Sequence, residues 1–212
     1  MPLLPDHLKI TDIPKMENAE VADLMARFEP LVKHFNRYLT IGGFPELALS
    51  DDDLYAQRML REDVVDKVIK RDVLTLFKVR SPLLMEKLFL YLCMNSTEIF
   101  SATTAAKELD NISPNTIESY VDALVKSNLI YMAYPIAVGS KSVLKGRPKI
   151  YIADAAIRNA VLMVDDVLSD ERELGLLIET TVYKHLVSFY QGTGAQLGYY
   201  RKAKENQKAV SY

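Results

Sequence analysis

Residues 101–154 read SATTAAKELDNISPNTIESYVDALVKSNLIYMAYPIAVGSKSVLKGRPKIYIAD, and this stretch decides the fold class. Ser113 can cap a helix whose first helical residue is Pro114. Behind them Ile117, Tyr120, Val121, Leu124 and Val125 recur at the spacing of one helical face. A shorter helix precedes it, capped by Ser101, with Ala102, Ala105, Ala106 and Leu109 on one side. The two are joined by Asp110, Asn111 and Ile112, the length of a helix-turn-helix connection. After them Leu129 to Val138 and Pro148 to Ala153 are apolar and aromatic runs. Between these runs lie Gly139, Lys141, Lys145, Gly146 and Arg147, so the pair reads as a hairpin with a basic tip. Upstream, Met85, Leu88, Phe89, Leu92 and Cys93 supply another amphipathic helix. Helix, helix-turn-helix and hairpin together predict a winged helix over residues 81–154.

Such a fold suggests DNA, but the exposed face of the second helix must carry that function. Asn115, Thr116, Glu118, Ser119, Asp122 and Lys126 point outward, two acids against one base. Affinity for phosphates comes from Lys and Arg displacing counterions, so this face suits DNA poorly. The hairpin, with Lys141, Lys145, Arg147 and Lys149, suits it better. Docking onto a protein and weak contact with double-stranded DNA therefore both remain readings of this unit.

Working outward toward the N-terminus, residues 1–15 hold three prolines and little periodicity. Val21, Leu24, Met25 and Phe28 then form a stripe, and Pro30 kinks the helix or opens a second one with Leu31, Phe35 and Leu39. The run stops at Gly42-Gly43-Phe44-Pro45-Glu46, which no helix can continue through and which predicts a sharp, close-packed turn. It is not a phosphate-binding loop, because it lacks the Gly-Lys-Ser/Thr ending. Ser50, Asp51, Asp52 and Asp53 begin the next helix with negative charge, and Lys67, Lys70 and Arg71 end it with positive charge beside Asp72. Leu60, Val64, Val68 and Ile69 mark its buried side. Residues 1–80 thus form a helical region.

Toward the C-terminus, Ala155 to Met163 is a short helical stretch, followed by an acidic loop. A longer helix carries Leu174, Leu177, Ile178, Thr181, Val182, His185, Leu186 and Phe189 on one broad face, with Glu179 at its edge. His185 on that face is read as a core histidine. Gly192 and Gly194 end the helix, Gln196 to Lys202 is an expected strand, and Lys208 to Tyr212 an expected returning strand. A sheet edge left unfinished suggests a piece of a longer protein or a gene product cut short. The fold class is mainly α with small β (α+β).

Composition sets limits on function. The chain has 212 residues, 49% of them hydrophobic, and a formal charge of −2. That balance gives no general attraction to nucleic acid or to an anionic membrane. The single cysteine, Cys93, allows no internal disulfide and belongs to a buried helix face. No uncharged apolar run approaches the ~18 residues that span a bilayer, and no signal peptide is visible, which makes the cytoplasm the expected compartment.

The order of the motifs resembles a known family. Tyr38-Leu39 precedes Gly42, Gly43, Phe44, Pro45 and Glu46. Ile69-Lys70-Arg71-Asp72-Val73 follows, then the hairpin ending at Asp154, then Leu176-Leu177-Ile178-Glu179 and Tyr199-Tyr200-Arg201. This is similar to the C-terminal half of a large group of bacterial and archaeal AAA-like P-loop ATPases. In that group an ATPase module is followed by a domain of unknown function, with a winged helix and a PD-(D/E)xK nuclease-like end. The resemblance implies that residues 155–212 are a truncated nuclease-like region. It also implies ATP and magnesium in a parent protein whose ATPase domain is this chain's partner, while the chain itself has no Walker A sequence and no cofactor. Glu179 matches the helix glutamate of the nuclease-like region, the single candidate catalytic residue. The second acidic position falls on Ser211, which cannot replace a carboxylate on a hard cation, and the strand with the catalytic lysine is missing. The expected function is therefore a non-enzymatic accessory region. The rivals are a free-standing winged-helix regulator of transcription and a metal-dependent nuclease.

Overall fold

A computed structural model describes residues 12, 15–77, 79–136, 146–164 and 166–200. The chain is mainly helical with a small sheet. Helix α1 (Asn18–Phe28) passes through a 3-10 turn at Glu29–Leu31, where Pro30 removes a backbone donor, into α2 (Val32–Ile41). Gly42 then stops the helix. Its φ of 76° and ψ of −170° lie in a region open to glycine and essentially closed to other residues. Phe44 caps the single-turn α3 (Pro45–Ala48), with Pro45 at its first position.

The next rod starts at α4 (Asp53–Arg61), continues as a π-helical segment (Glu62–Val73) and ends in α5 (Leu74–Leu76). Its N-cap is Asp52, whose carboxylate accepts from Tyr55 N at 2.9 Å, rather than Ser50. Leu60, Val64 and Ile69 are buried along it as expected.

Helices α6 (Pro82–Met94), α7 (Ala102–Glu108) and α8 (Pro114–Lys126) follow. Ser81 and Ser101 cap the first two through their hydroxyls, and Ser113 occupies the N-cap position of the third. The α7 to α8 turn places Asp110 and Asn111 at positive φ, which short polar side chains tolerate. Strands β1 (Ile130–Pro135) and β2 (Lys149–Ile152) pair antiparallel with Ile130 opposite Ile152. Ile99 bridges to Lys149 on the far side of β2. The hairpin tip, with Lys141 and Lys145, lies outside the described residues.

Helix α9 (Ala155–Leu162) is buried from Ala155 through Val161, and α10 (Glu171–Tyr190) lies beyond it. The expected strand from Gln196 is limited, among the described residues, to β3 (Gly198–Tyr199), parallel to β1 with Gly198 opposite Tyr134. One cluster of buried side chains runs from Ile41 through Leu60, Phe89, Leu124 and Ile152 to Val161, so the three sequence segments share a core. At about 25 cal/mol per Å² of buried apolar surface, that shared burial is the main force joining them. No helix among the described residues is long and apolar enough to cross a membrane.

Two expectations about packing need correction. Of the N-terminal apolar stripes, Leu24 and Leu39 are buried, whereas Met25 is 64% and Phe35 42% exposed. The broad apolar face of α10 is split. Leu177 and Thr181 are buried, whereas Ile178, Val182, Leu186 and Phe189 are exposed and His185 lies in solvent. A helix that packs on one neighbouring layer can bury only a stripe, and α10 carries more apolar surface than that stripe holds.

Candidate functional site

Three features gather the chemically able side chains. The first is a joint beneath the glycine turn. Asp154 caps α9 by accepting from Ala156 N at 2.9 Å, and its other oxygen pairs with Lys184 of α10. Lys184 Nζ also donates to Tyr38 Oη at 3.0 Å, and Tyr38 Oη lies 3.1 Å from His185 Nε2. Burial works against the charge on Lys184. The hydrogen bond and charge of Asp154, aided by Tyr38, outweigh it and hold the ammonium's pKa above the usual lysine value. Gly42 is pressed onto this group, since a Cβ there would stand 2.8 Å from Asp154 Oδ1 and 2.9 Å from Ala156 Cβ. A Cβ on Gly43 would meet the Tyr38 ring at 2.9 Å. The two glycines thus let the chain pass close to a buried carboxylate and its aromatic neighbour.

Nearby, Arg158 is buried on α9, where Nε donates to Cys93 O at 3.0 Å and Nη1 meets Glu173 Oε2 at 2.6 Å. Asn159 donates to Leu39 O at 3.0 Å. These bonds satisfy the buried guanidinium and the Asn159 amide nitrogen, while Asn159 Oδ1 is buried with no hydrogen-bond partner among the described residues.

The second feature joins the hairpin to α10. Glu179 Oε1 accepts from Lys149 Nζ at 2.9 Å and from Tyr151 Oη at 2.8 Å. Tyr151 also stacks on Tyr183, their centroids 4.1 Å apart. Burial, then the hydrogen bond to Glu179, raises the Tyr151 pKa far above the ordinary phenol value. Among the described residues no group of three or more His, Cys, Asp or Glu could hold a metal ion.

The third is a cleft of about 1300 Å³ between α8, the start of α7, β1 and the end of α10. Glu118 and Asp122 line one wall, Tyr190 and Gln191 another, and Arg147 the hairpin side.

Of the residues singled out in the sequence, Gly42, Gly43 and Asp154 meet at the joint, while Phe44, Pro45 and Glu46 continue the turn away from it, Glu46 into solvent. Arg71 and Asp72 pair with each other at 2.7 Å on an exposed surface. Their hydrogen bond raises the guanidinium pKa and lowers the carboxyl pKa. Arg147 is exposed, whereas Lys149 is neutralised by Glu179. Lys141, Lys145, Arg201 and Ser211 lie outside the described residues. Lys184 escaped the sequence reading. Its signal is a lysine one turn from Thr180 and Thr181 and two from Leu177, on the side of α10 that packs inward.

A family model described as "Domain of unknown function (DUF8612)" matches residues 32–168. The match takes in the glycine turn, Asp154 and α9 and stops before α10. "Uncharacterized protein MJ1544" of Methanocaldococcus jannaschii is 24% identical over 185 residues, covering 84% of this chain and 40% of that protein. "Uncharacterized protein MJ1637" of the same archaeon is 30% identical over 172 residues, covering 80% of this chain and 35% of its own length. The chain therefore spans well under half the length of these relatives. No solved structure matches it.

Proposed function

The chain belongs to the family of the domain of unknown function DUF8612, and we propose that within it the chain is a non-enzymatic accessory module that docks on protein. On this reading residues 81–154 act as a winged helix whose second helix, α8, meets a partner chain instead of a DNA groove. On the same reading the partner is an ATPase domain of a longer parent polypeptide, and any ATP and magnesium would be held by that domain.

One observation carries the reading: the outward face of α8, with Glu118 and Asp122, forms a wall of the cleft that the end of α10 also lines. A helix that reads DNA must enter a major groove about 12 Å wide, flanked by phosphates. An exposed acidic face there repels those phosphates. Of the hairpin's four bases, Lys149 has its charge taken up by Glu179, which reduces what the hairpin offers to phosphates. Pairing with Lys149 and Tyr151 likewise occupies Glu179, which works against its service as a metal ligand in a nuclease.

The test is titration of a fluorescently labelled mixed-sequence duplex with the whole chain at low salt. The expected binding is weak, insensitive to sequence, and abolished when Lys141, Lys145, Arg147 and Lys149 become glutamine. Tight binding to one short duplex that survives those changes would favour a transcriptional regulator. Saturable micromolar binding of ATP by this chain alone would also contradict the reading, since no loop here combines backbone N–H groups with a P-loop lysine.

A further inference from the structure

We propose that the cleft beside α8 receives an extended segment of a partner protein, in which a lysine or arginine is flanked by aliphatic side chains. This rests on the docking reading above and names the chemistry of what docks. Three observations lead to it. The cleft, at about 1300 Å³, is roomier than a pocket shaped around one small molecule. Its lining includes Val121, Val125, Met132 and Tyr131, so aliphatic side chains would find apolar cover beside the polar walls.

The charge on its α8 wall is acidic and incompletely matched. Glu118 and Asp122 stand one helical turn apart, where like charges repel. Asp122 is paired with Lys126 at 2.6 Å, but Glu118 has no ion pair among the described residues. A cation placed between them relieves that repulsion. Tyr134 and Tyr190, 49% and 38% exposed, offer ring faces over which the stem and head of a lysine or arginine can lie. Among the described residues that line the cleft, Arg147 is the basic one, on the hairpin side. It therefore sets the direction of the segment, with the basic residue toward α8 and any carboxylate toward the hairpin.

The experiment is fluorescence anisotropy with the whole chain and two short labelled peptides. One alternates leucine or valine with arginine and lysine; the other carries glutamate in place of the basic residues. The basic peptide is expected to bind saturably. It should weaken about fivefold when Glu118→Gln and Asp122→Asn are combined, lose affinity in Tyr134→Ala, and be unaffected by Asp51→Asn outside the cleft. These changes are all at exposed positions, and thermal melts of each variant establish that the fold is kept. Equal binding of both peptides, binding unchanged by the double substitution, or no binding of either peptide would overturn the proposal. Tight binding of a labelled duplex to the intact chain, measured without peptide and surviving the hairpin substitutions, would overturn the docking reading as well. Failure of the peptides without duplex binding would remove this proposal alone.

Discussion

Lys149 Nζ of the hairpin lies 2.9 Å from Glu179 Oε1 of α10, so one of the four bases read as suited to DNA and the one acid read as a metal ligand are each other's partners. The Lys149 side chain is 26% exposed and that of Glu179 45%, which places the pair at a rim where it contributes about 0–1 kcal/mol. Tyr151 adds a hydrogen bond on the same oxygen. Stability is thus a minor consequence; the larger one is that two sequence candidates cancel.

Removing the acid should expose the base. Glu179→Gln is expected to strengthen the weak duplex binding about twofold to fivefold at low salt, by restoring one uncompensated cation near the phosphates. Duplex and single-stranded DNA incubated with either protein in magnesium or manganese should stay intact. Cleavage by the original chain that vanishes in Glu179→Ala would reinstate the nuclease reading.

The glycine turn separates two substitutions of the same kind. Gly42→Ala combines a glycine-only backbone with a Cβ 2.8 Å from Asp154 Oδ1, and should cost about 1–3 kcal/mol from the backbone alone. Gly175→Ala sits in the interior of α10 with nothing within 4 Å of the added Cβ, and should stabilise by about 0.5–1 kcal/mol. Urea midpoints for the two variants should move in opposite directions.

High pH should weaken the fold through the α10 contacts. The pKa values of Tyr151, Tyr183 and Lys184 are all raised in the folded chain, Tyr151 and Tyr183 foremost by burial, and Lys184 by Asp154 against its own burial. The folded state therefore holds these protons more tightly than the unfolded state. Their contribution is whole below the ordinary value of about 10 and is lost as pH rises through the folded values. Denaturation midpoints should fall steeply above about pH 10, and Tyr151→Phe should flatten that fall. At neutral pH the same variant should cost about 0.5–1.5 kcal/mol for the lost bond to Glu179. A slope unchanged in Tyr151→Phe would remove that residue from the explanation.

Local signals made much of this fold legible in the sequence. Ser101, Ser113 and Pro114 marked helix starts, Gly42 marked a stop, and the burial of Met85, Leu88, Phe89, Leu92 and Cys93 followed from their spacing. The turn at Gly42 was legible as close-packed, though not what it packs against, because Asp154 lies more than a hundred residues along the chain. Arg158 and Asn159 read as polar and are buried, since their bonds to Cys93 O and Leu39 O arise only in the folded chain. Apolar periodicity alone made Leu177 and Val182 of α10 equivalent; the neighbouring layer, invisible to periodicity, buries the first and leaves the second 51% exposed.

The central claim, that α8 meets protein and not DNA, is tested most directly by amide shift mapping of the isotopically labelled chain. A mixed-sequence duplex is added at low salt. The account predicts that signals from Asn115, Glu118, Ser119 and Asp122 stay in place, with any small movement confined to the hairpin around Arg147. Progressive, saturable shifts of the α8 signals on adding the duplex would contradict it.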